Sequence, residues 1–403
     1  MWNYTSVSVT SGGEGKVTVS WTSEILTITI TGAFDGTATI HCEASGWDDF
    51  NDVAANMSRD VYVTCVANPA IDVTGVTLSQ TSAELTAGGA ALELTPTVAP
   101  AGATDKTVTW SVVQDGSFVA LFTDQACTQA VGTDAIDPAK VYVKPLAAGQ
   151  ATVTVTTSDG GKTATCTVTV APAEIASGTT GDVAWTLTDD GKLTISGTGA
   201  MEDNASATAQ PWKNYRSSIT SIVVGDGVTR IGNFAFTQCS KAESISLPSS
   251  LTSIGTRAFQ NCNNASLTSI TIPANVETIG DYAFSVCSKL TSVTIPDKVT
   301  FIGSNAFASC SGLTSITIPD NVETIGNNAF NKCSGLQSAT IGNGVTSIGE
   351  STFNGCTSMT TLTIGSSVET IGISAFEGCT QLGSVAIPNS VTSIGKYAFI
   401  ACI

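Results

Sequence analysis

The chain has 403 residues, a formal net charge of −17 at pH 7, and a charged fraction of only 12%. So acidic a surface is repelled by phosphate backbones and anionic lipid, which disfavours nucleic acid as a partner, and no apolar run is long enough for membrane insertion. Few aromatic residues beside abundant Gly, Ser and Thr are typical of β-rich surface modules rather than of a helical enzyme, and the length predicts two to four domains.

Residues 1–70 alternate polar and apolar side chains, which predicts a small all-β module that is a candidate anchoring domain. Turns are expected at Gly12-Gly13 and Asp35-Gly36. Cys42 and Cys65 fall on inward faces of the last two strands and are expected to meet, as a disulfide or as two buried thiols. The predicted strands are Ser6 to Thr10, Lys16 to Trp21, Ile25 to Thr31, Thr37 to Cys42 and Asp60 to Val66.

Residues 71–171 predict a second β module, because short strands alternate with Gly, Pro and Asp turns as in a sandwich. This region resembles the bacterial immunoglobulin-like domains of intimin- and invasin-type surface proteins, which implies a spacer or stalk on bacteria or on phage virions. Cys127 and Cys166 could pair, although Cys127 lies in an irregular stretch. The resemblance is carried by Val76-Thr77-Leu78, Pro96 to Pro100, Val108-Thr109-Trp110, Ala147 to Val155 and Gly161 to Cys166.

Residues 172–218 connect this module to a repeat array. The segment Val183 to Ser196 predicts a β-hairpin that turns at Asp190-Gly191, and Trp212 and Tyr215 follow it. A solenoid needs its first coil covered, so the hairpin and the aromatic segment are expected to form the cap. An aromatic ligand-binding site is the alternative.

Residues 219–403 repeat a unit of 23 residues eight times, most clearly in Leu313 to Gly335. A fixed period in the twenties predicts a solenoid, in which each unit buries its apolar face against its neighbours. The period lengthens to 25 once, where Asn263 to Ser266 hold two extra residues. One cysteine recurs in each unit, and stacked buried thiols are expected rather than disulfides, because free Cys packs as a small hydrophobe. These residues are Cys239, Cys262, Cys287, Cys310, Cys333, Cys356, Cys379 and Cys402.

Each position of the unit, counted from Leu313 as position 1, has a predicted task. Positions 1, 4 and 6 follow the LxxLxL spacing of leucine-rich repeats, so positions 4 and 6 point inward from a short strand while positions 3 and 5 point outward. Proline is frequent at position 7 and ends the strand. Glycine always occupies position 14, where a Cβ is expected to obstruct the backbone. A short helical turn is expected over Asn327 to Cys333, with the recurrent phenylalanine of position 18 stacked in the core.

The unit LTSITIPDNVETIGNNAFNKCSG resembles the BspA-like family of bacterial leucine-rich repeats. The preceding segment TGDVAWTLTDDGKLTISGTGAM resembles the sequence that often introduces such arrays, so the resemblance covers residues 177–403. It implies a leucine-rich-repeat solenoid without a catalytic motif, in a surface-exposed or secreted protein that adheres to host proteins, matrix proteins or other cells.

The outward positions 3 and 5 predict a hydroxyl-lined strand face as the candidate ligand-binding site. Eight strands about 4.8 Å apart give a face of roughly 35–40 Å, which can dock a protein or a glycan of a host or bacterial surface. The alternative is that Ser and Thr simply suit a solvated β face, which here lacks the Trp, Tyr and Arg of binding hot spots. The candidate residues are Ser244, Ser246, Ser269, Thr271, Ser292, Thr294, Ser315, Thr317, Ser338, Thr340, Thr361 and Thr363.

No catalytic, cofactor-binding or metal-binding set of residues is predicted. The only histidine, His41, has no Ser or Asp constellation around it, and the acidic pairs Asp48-Asp49 and Asp189-Asp190 lack an EF-hand pattern. The absence of a Cys/His cluster with zinc spacing argues against zinc. The chain is therefore expected not to be an enzyme.

The expected fold is mainly β, with two β-sandwich or Ig-like modules before the solenoid. The leading functional hypothesis is non-enzymatic adhesion or recognition outside the cell or at its surface. The alternative is a structural or decoration protein on a virion surface, docked on other virion proteins through its N-terminal module. A Met1 start without a signal sequence favours that alternative. Beyond the last repeat, either further repeats or a partner is expected to cover the array.

Overall fold

A computed structural model describes residues 2–11, 17–21, 26–30, 36–48, 53–65, 70–132 and 140–402. Within these ranges the protein is almost entirely β and has no α-helix, which confirms the predicted fold class. The described residues include no helix of the length and apolarity that crossing a membrane requires.

The N-terminal module contains two antiparallel sheets, β1–β4–β5 and β2–β3. In the longer sheet Cys42 lies opposite Arg59, whereas Cys65 lies opposite Gly36. Cys42 is therefore six residues along β4 from the position that faces Cys65, which places the two cysteines about 20 Å apart. The expected meeting of Cys42 and Cys65 is wrong. The predicted turn at Gly12-Gly13, together with Asp35 and Asp49, lies outside the described residues. The strands are β1 Trp2–Ser11, β2 Val17–Trp21, β3 Leu26–Ile30, β4 Gly36–Asp48 and β5 Val53–Cys65.

The second module packs a four-stranded sheet, β10–β13–β14–β7, and a three-stranded sheet, β11–β12–β8, around one core, with the pair β6–β9 beside them. Leu94, Val143 and Val153 are completely buried in that core. Cys166 is buried and Cys127 is half-buried, and both thiols are free. The strands are β6 Gly75–Leu78, β7 Ser82–Thr86, β8 Leu92–Leu94, β9 Pro96–Ala99, β10 Val108–Gln114, β11 Val119–Phe122, β12 Val141–Pro145, β13 Gly149–Thr157 and β14 Thr163–Ala171.

The predicted hairpin is present and extends the solenoid sheet. Its second strand, β17, pairs in parallel with β19 of the first coil. Trp212 is completely buried, donates from Nε1 to the Ala235 carbonyl at 3.0 Å, and stacks on Phe236 at 5.5 Å between ring centroids. Trp185 packs edge-on against Trp212, and both buried rings cover the first coil as the predicted cap, whereas Tyr215 is half-buried. These elements are β15 Glu174–Thr180, β16 Val183–Thr188, β17 Lys192–Ser196, β18 Gly199–Ala200 and a 3-10 helix, Lys213–Tyr215.

Each coil of the solenoid contributes strands to two walls. The first wall carries the LxxLxL segments and consists of β19 Ser221–Val224, β21 Ser244–Ser246, β23 Ser269–Thr271, β25 Ser292–Thr294, β27 Ser315–Ile318, β29 Ser338–Ile341 and β31 Thr361–Thr363. The second wall consists of β20 Val228–Ile231, β22 Ser253–Ile254, β24 Thr278–Ile279, β26 Phe301–Ile302, β28 Thr324–Ile325, β30 Ser347–Ile348, β32 Thr370–Ile371 and β33 Ser393–Ile394. With β18, the second wall forms one continuous nine-stranded sheet, which the repeat pattern did not predict.

The expected helical turn over Asn327 to Cys333 is wrong, because this segment is a run of turns without helix. Asn328 and Lys332 adopt left-handed φ angles of 59° and 58°, and the equivalent residues of the other coils do the same. The amides of Asn328, Phe330 and Lys332 consequently donate to carbonyls of the next coil at 2.7–2.9 Å. In a helix these amides would donate to carbonyls of the same segment. Here they form hydrogen bonds between coils instead, and the helical turn does not form.

The core of the array consists of ladders, as the sequence predicts. Phenylalanine rings stack from Phe236 to Phe399 with centroids 5.1–5.5 Å apart. The array cysteines are free thiols, and from Cys262 onward each Sγ donates to the phenylalanine carbonyl of the preceding coil at 3.2–3.4 Å. Burial raises the thiol pKa, to about 12 for Cys310. The thiols are therefore packing groups rather than nucleophiles.

The glycine of position 14 is required by close approach between coils. At Gly280, a Cβ would lie 2.7 Å from the carbonyl carbon of Gly255 and 2.7 Å from the amide nitrogen of Thr256. The φ angle of Gly280 is not in the left-handed range, so any residue could adopt its backbone. The predicted obstruction is confirmed, and it comes from the neighbouring coil.

Candidate ligand-binding face

The twelve candidate hydroxyl residues all lie on strands of the first wall, where they alternate with the buried apolar positions. In β27 the side chains of Ser315 and Thr317 are exposed while Ile316 and Ile318 are buried. The same alternation recurs along the wall, and only Ser338 is half-buried. We call the surface formed by these twelve side chains the hydroxyl face.

The hydroxyl groups of this face are almost entirely unpaired within the protein. Ser244 donates to the hydroxyl of Ser221 at 3.2 Å. The other eleven side chains make no hydrogen bond with any residue that the structure describes. Their donors and acceptors are therefore available to water or to a ligand.

The first wall is shorter and less continuous than the eight strands that the repeat count predicts. Seven strands form, because residues 384–386 of the last coil have no strand pairing. The first two belong to the cap sheet, β23 pairs only with β25, and β27, β29 and β31 form a separate three-stranded sheet. The two-residue insertion lies between β21 and β23, but the second wall pairs without interruption there, with Ile254 opposite Ile279.

A groove of about 500 Å³ lies on the three-stranded part of the hydroxyl face. Three of the twelve candidate residues, Thr317, Thr340 and Thr363, form one side of it. Its floor includes Gly342 and Gly365, which occupy position 7, where most coils have proline. A Cβ at Gly342 would lie 2.5 Å from the Pro319 carbonyl carbon, and a Cβ at Gly365 would lie closer still to the Gly342 carbonyl oxygen. Glycine at these two positions therefore allows the backbones of adjacent coils to approach closely.

The opposite side of the groove carries carboxylate, amide and hydroxyl groups in successive coils. The Asp320 carboxylate accepts from the amide N–H of Asn343 at 2.8 Å, and the side-chain oxygen of Asn343 accepts from Ser366 N–H and Oγ at 2.9 Å. These bonds fix the position 8 side chains relative to one another. Asp297 adds a second carboxylate at one end.

Asp320, Asn343, Gly342 and Gly365 are residues that the sequence reasoning missed. The available signal was the change from proline to glycine at position 7 in two adjacent coils. The substitution of glycine for proline is visible when the repeats are aligned with one another.

The groove presents hydroxyl groups, a side-chain amide and two carboxylates from four successive coils. The described residues hold no group of three or more His, Cys, Asp or Glu side chains that could bind a metal ion. The carboxylates of Asp189 and Asp190 accept hydrogen bonds from the protein. Asp190 accepts from Thr188 Oγ1, and Asp189 accepts from the Ala173 amide.

Comparison with known families agrees with this architecture. Residues 213–334 and 300–403 match the model of the BspA type leucine rich repeat region, in six copies. Residues 72–168 match the bacterial Ig-like domain of group 2. The chain thus carries a BspA-type leucine-rich repeat region preceded by a bacterial Ig-like domain, a combination that fits a surface repeat protein.

Several solved structures are similar to the repeat region. A leucine-rich repeat protein from Eubacterium ventriosum is 22% identical, over 56% of this chain and 95% of its own, with a TM-score of 0.29. A T. pallidum leucine-rich repeat protein is 24% identical, over 50% and 89%, with a TM-score of 0.33. A leucine-rich cell surface protein from Faecalibacterium prausnitzii is 24% identical, over 56% and 86%, with a TM-score of 0.24. No curated protein matches the chain.

Proposed function

We propose that this chain is a non-enzymatic recognition protein of the extracellular space or the cell surface, which binds a protein or glycan partner on its hydroxyl face. The Ig-like domain and the N-terminal module serve as spacer or anchor. The observation that carries the proposal is the row of exposed hydroxyls without protein partners, which deepens into a groove at Thr317, Thr340 and Thr363.

The packing of each coil explains why a ligand is expected on this face. The side chains of the Leu, Ile, Phe and Cys positions are mostly buried in the core, and the exceptions with the largest exposure, Ile387 and Ile394, lie in the last coil. The hydroxyl face is exposed on a rigid scaffold, so a ligand that binds it pays little ordering entropy on the protein side. No observation on the described residues favours the virion alternative, and none of the similar proteins named above is a virion protein.

A binding screen with paired variants tests the proposal. The purified full-length protein is applied to printed panels of glycans and of extracellular matrix and bacterial surface proteins. Thr340→Arg fills the middle of the groove with a long charged side chain. Thr324→Arg is the matched control, because Thr324 is also an exposed strand threonine but lies on the second wall.

We expect at least one panel member to bind the wild type and the Thr324→Arg control equally. The Thr340→Arg variant should bind it at least about tenfold more weakly, since the long arginine side chain occupies the space of the ligand in the groove. A panel without any bound member, or a loss of binding that is equal in both variants, contradicts the proposal.

A further inference from the structure

A second cavity lies where the cap meets the first two coils, and its lining is unlike the rest of the surface. It has a volume of about 480 Å³. None of its lining residues belongs to the hydroxyl face. We call it the cap pocket, and its lining is Lys213, Arg216, Ser217, Gln238, Ser240, Asn261 and Asn263.

The charge of the cap pocket is opposite to that of the chain. The protein has 33 acidic and 16 basic residues, yet the pocket is lined by two basic residues and by no acidic one. In a chain with a net charge of −17, this local reversal concentrates positive potential in a concave site, where field lines are focused. The pocket therefore favours an anionic group.

The guanidinium of Arg216 is held in a fixed orientation. Its Nε donates to the Lys213 carbonyl at 3.2 Å, and its Nη1 donates to the side-chain oxygen of Gln238 at 2.7 Å and to the Ala207 carbonyl at 3.3 Å. Its Nη2 and the Nζ of Lys213 have no hydrogen-bond partner among the described residues. The free donors of a fixed guanidinium and a nearby ammonium suit a carboxylate.

The amides of the pocket occur only in these two coils. Gln238 and Asn261 occupy position 20 with left-handed φ angles of 65° and 62°. In the remaining coils the residue at position 20 has no side-chain amide and is Val286, Ser309, Lys332, Gly355, Gly378 or Ala401. The amides and the hydroxyls of Ser217 and Ser240 can donate to and accept from the hydroxyl groups of a sugar ring.

The one irregularity of the array forms part of this cavity. The two-residue insertion begins at Asn263, which lines the pocket. The inserted loop is held in place, since Asn264 donates to the Lys241 carbonyl at 3.1 Å and accepts from the Ser266 amide at 2.7 Å. In repeat proteins, insertions map to loops on one face, which is often the binding face.

We propose that the cap pocket binds a sugar that carries one carboxylate, such as a sialic or a uronic acid, with the carboxylate on Arg216 and Lys213 and the ring hydroxyls on the amides. The volume lies within the usual range of small-molecule sites. This site is independent of the hydroxyl face, so it adds a second binding function to the chain and does not rest on the first.

Ligand-observed NMR and calorimetry on the full-length protein test the proposal. The probes are N-acetylneuraminic acid, glucuronic acid, neutral glucose and a glutamate hexapeptide. Lys213→Gln removes a charge from an exposed side chain without any hydrogen bond to lose. Lys332→Gln is the matched control, because Lys332 is an exposed lysine at position 20 of a central coil. Thermal melting verifies that both variants are folded.

We expect one or both acidic sugars to bind at least about tenfold more tightly than glucose, and to lose about tenfold in affinity in Lys213→Gln but none in Lys332→Gln. Which acid binds distinguishes a sialic from a uronic acid ligand. The proposal is overturned if neither acid binds better than glucose, if the peptide binds and the sugars do not, or if the two variants behave alike.

Discussion

Replacing Gly280 with alanine should separate two coils of the solenoid. The added Cβ lies 2.7 Å from two backbone atoms of the preceding coil, and ordinary contact begins at 3.4 Å, so the coils must move apart by about 0.7 Å. That movement stretches the bond from the Gly280 amide to the Ile254 carbonyl, now 2.8 Å. Overpacking costs about 1–3 kcal/mol and a lost backbone bond about 1 kcal/mol, which predicts a loss of roughly 2–4 kcal/mol.

Urea unfolding followed by far-UV circular dichroism measures this loss, and hydrogen exchange of residues 267–290 localises it. The control is Gly355→Ala. Gly355 has a left-handed φ of 74° but no contact closer than 3.5 Å, so alanine there costs only about 1–2 kcal/mol of backbone strain. A Gly280→Ala variant as stable as the wild type, or more stable than Gly355→Ala, would refute the reasoning from close approach.

Four further predictions concern the core and the turns. Phe307→Ala should cost about 3–5 kcal/mol in urea unfolding, because the ring is completely buried between two others, whereas the partly buried Phe399 should cost less. Val286→Asn should raise the free energy of unfolding by about 1 kcal/mol, and the urea midpoint with it, because a β-branched residue is strained at φ 62°; an unchanged midpoint contradicts this. Alkaline pH should unfold the array. Burial raises the pKa of Cys310 to about 12, above its unfolded value of 9.0, so stability is complete below pH 9 and is lost toward pH 12, by roughly 1.4 kcal/mol per pH unit for each such thiol; a flat circular dichroism signal up to pH 11 would speak against buried thiols. Under denaturing, non-reducing conditions at least eight thiols should titrate with a thiol reagent, and fewer would mean disulfides.

The sequence could predict those parts of the fold in which a residue type occupies the same structural position in every coil. Ile316 and Ile318 alternate with Ser315 and Thr317, so the inward and outward directions of the first wall followed from the pattern alone. The stacked phenylalanines and thiols followed from their exact period. In each case a local rule and the solenoid geometry require the same arrangement.

The turns between coils could not be predicted in this way. Lys332 and Tyr282 have side chains that rarely adopt the left-handed conformation, yet both adopt it, with φ angles of 58° and 56°. The conformation is imposed by amides that must reach the next coil, which is a tertiary demand without a local sequence signal. The predicted helical turn failed for the same reason.

The candidate sites show a similar limit. The outward direction of Thr340 was predictable, but the groove beside it is lined by residues of several coils, from Asp297 to Ser366. The cap pocket brings Arg216 together with Gln238 and Asn261, from segments that only stacking places side by side. Such sites depend on which residues of adjacent coils lie side by side, and the order of residues along the chain does not specify this.

If the hydroxyl face binds a partner, hydrogen exchange of the full-length protein should locate the contact when measured with and without the strongest ligand from the binding panels. We expect slower exchange in β27, β29 and β31 and unchanged exchange in β28, β30 and β32 of the same coils. Slower exchange confined to the second wall, or to the Ig-like domain, would contradict the proposal.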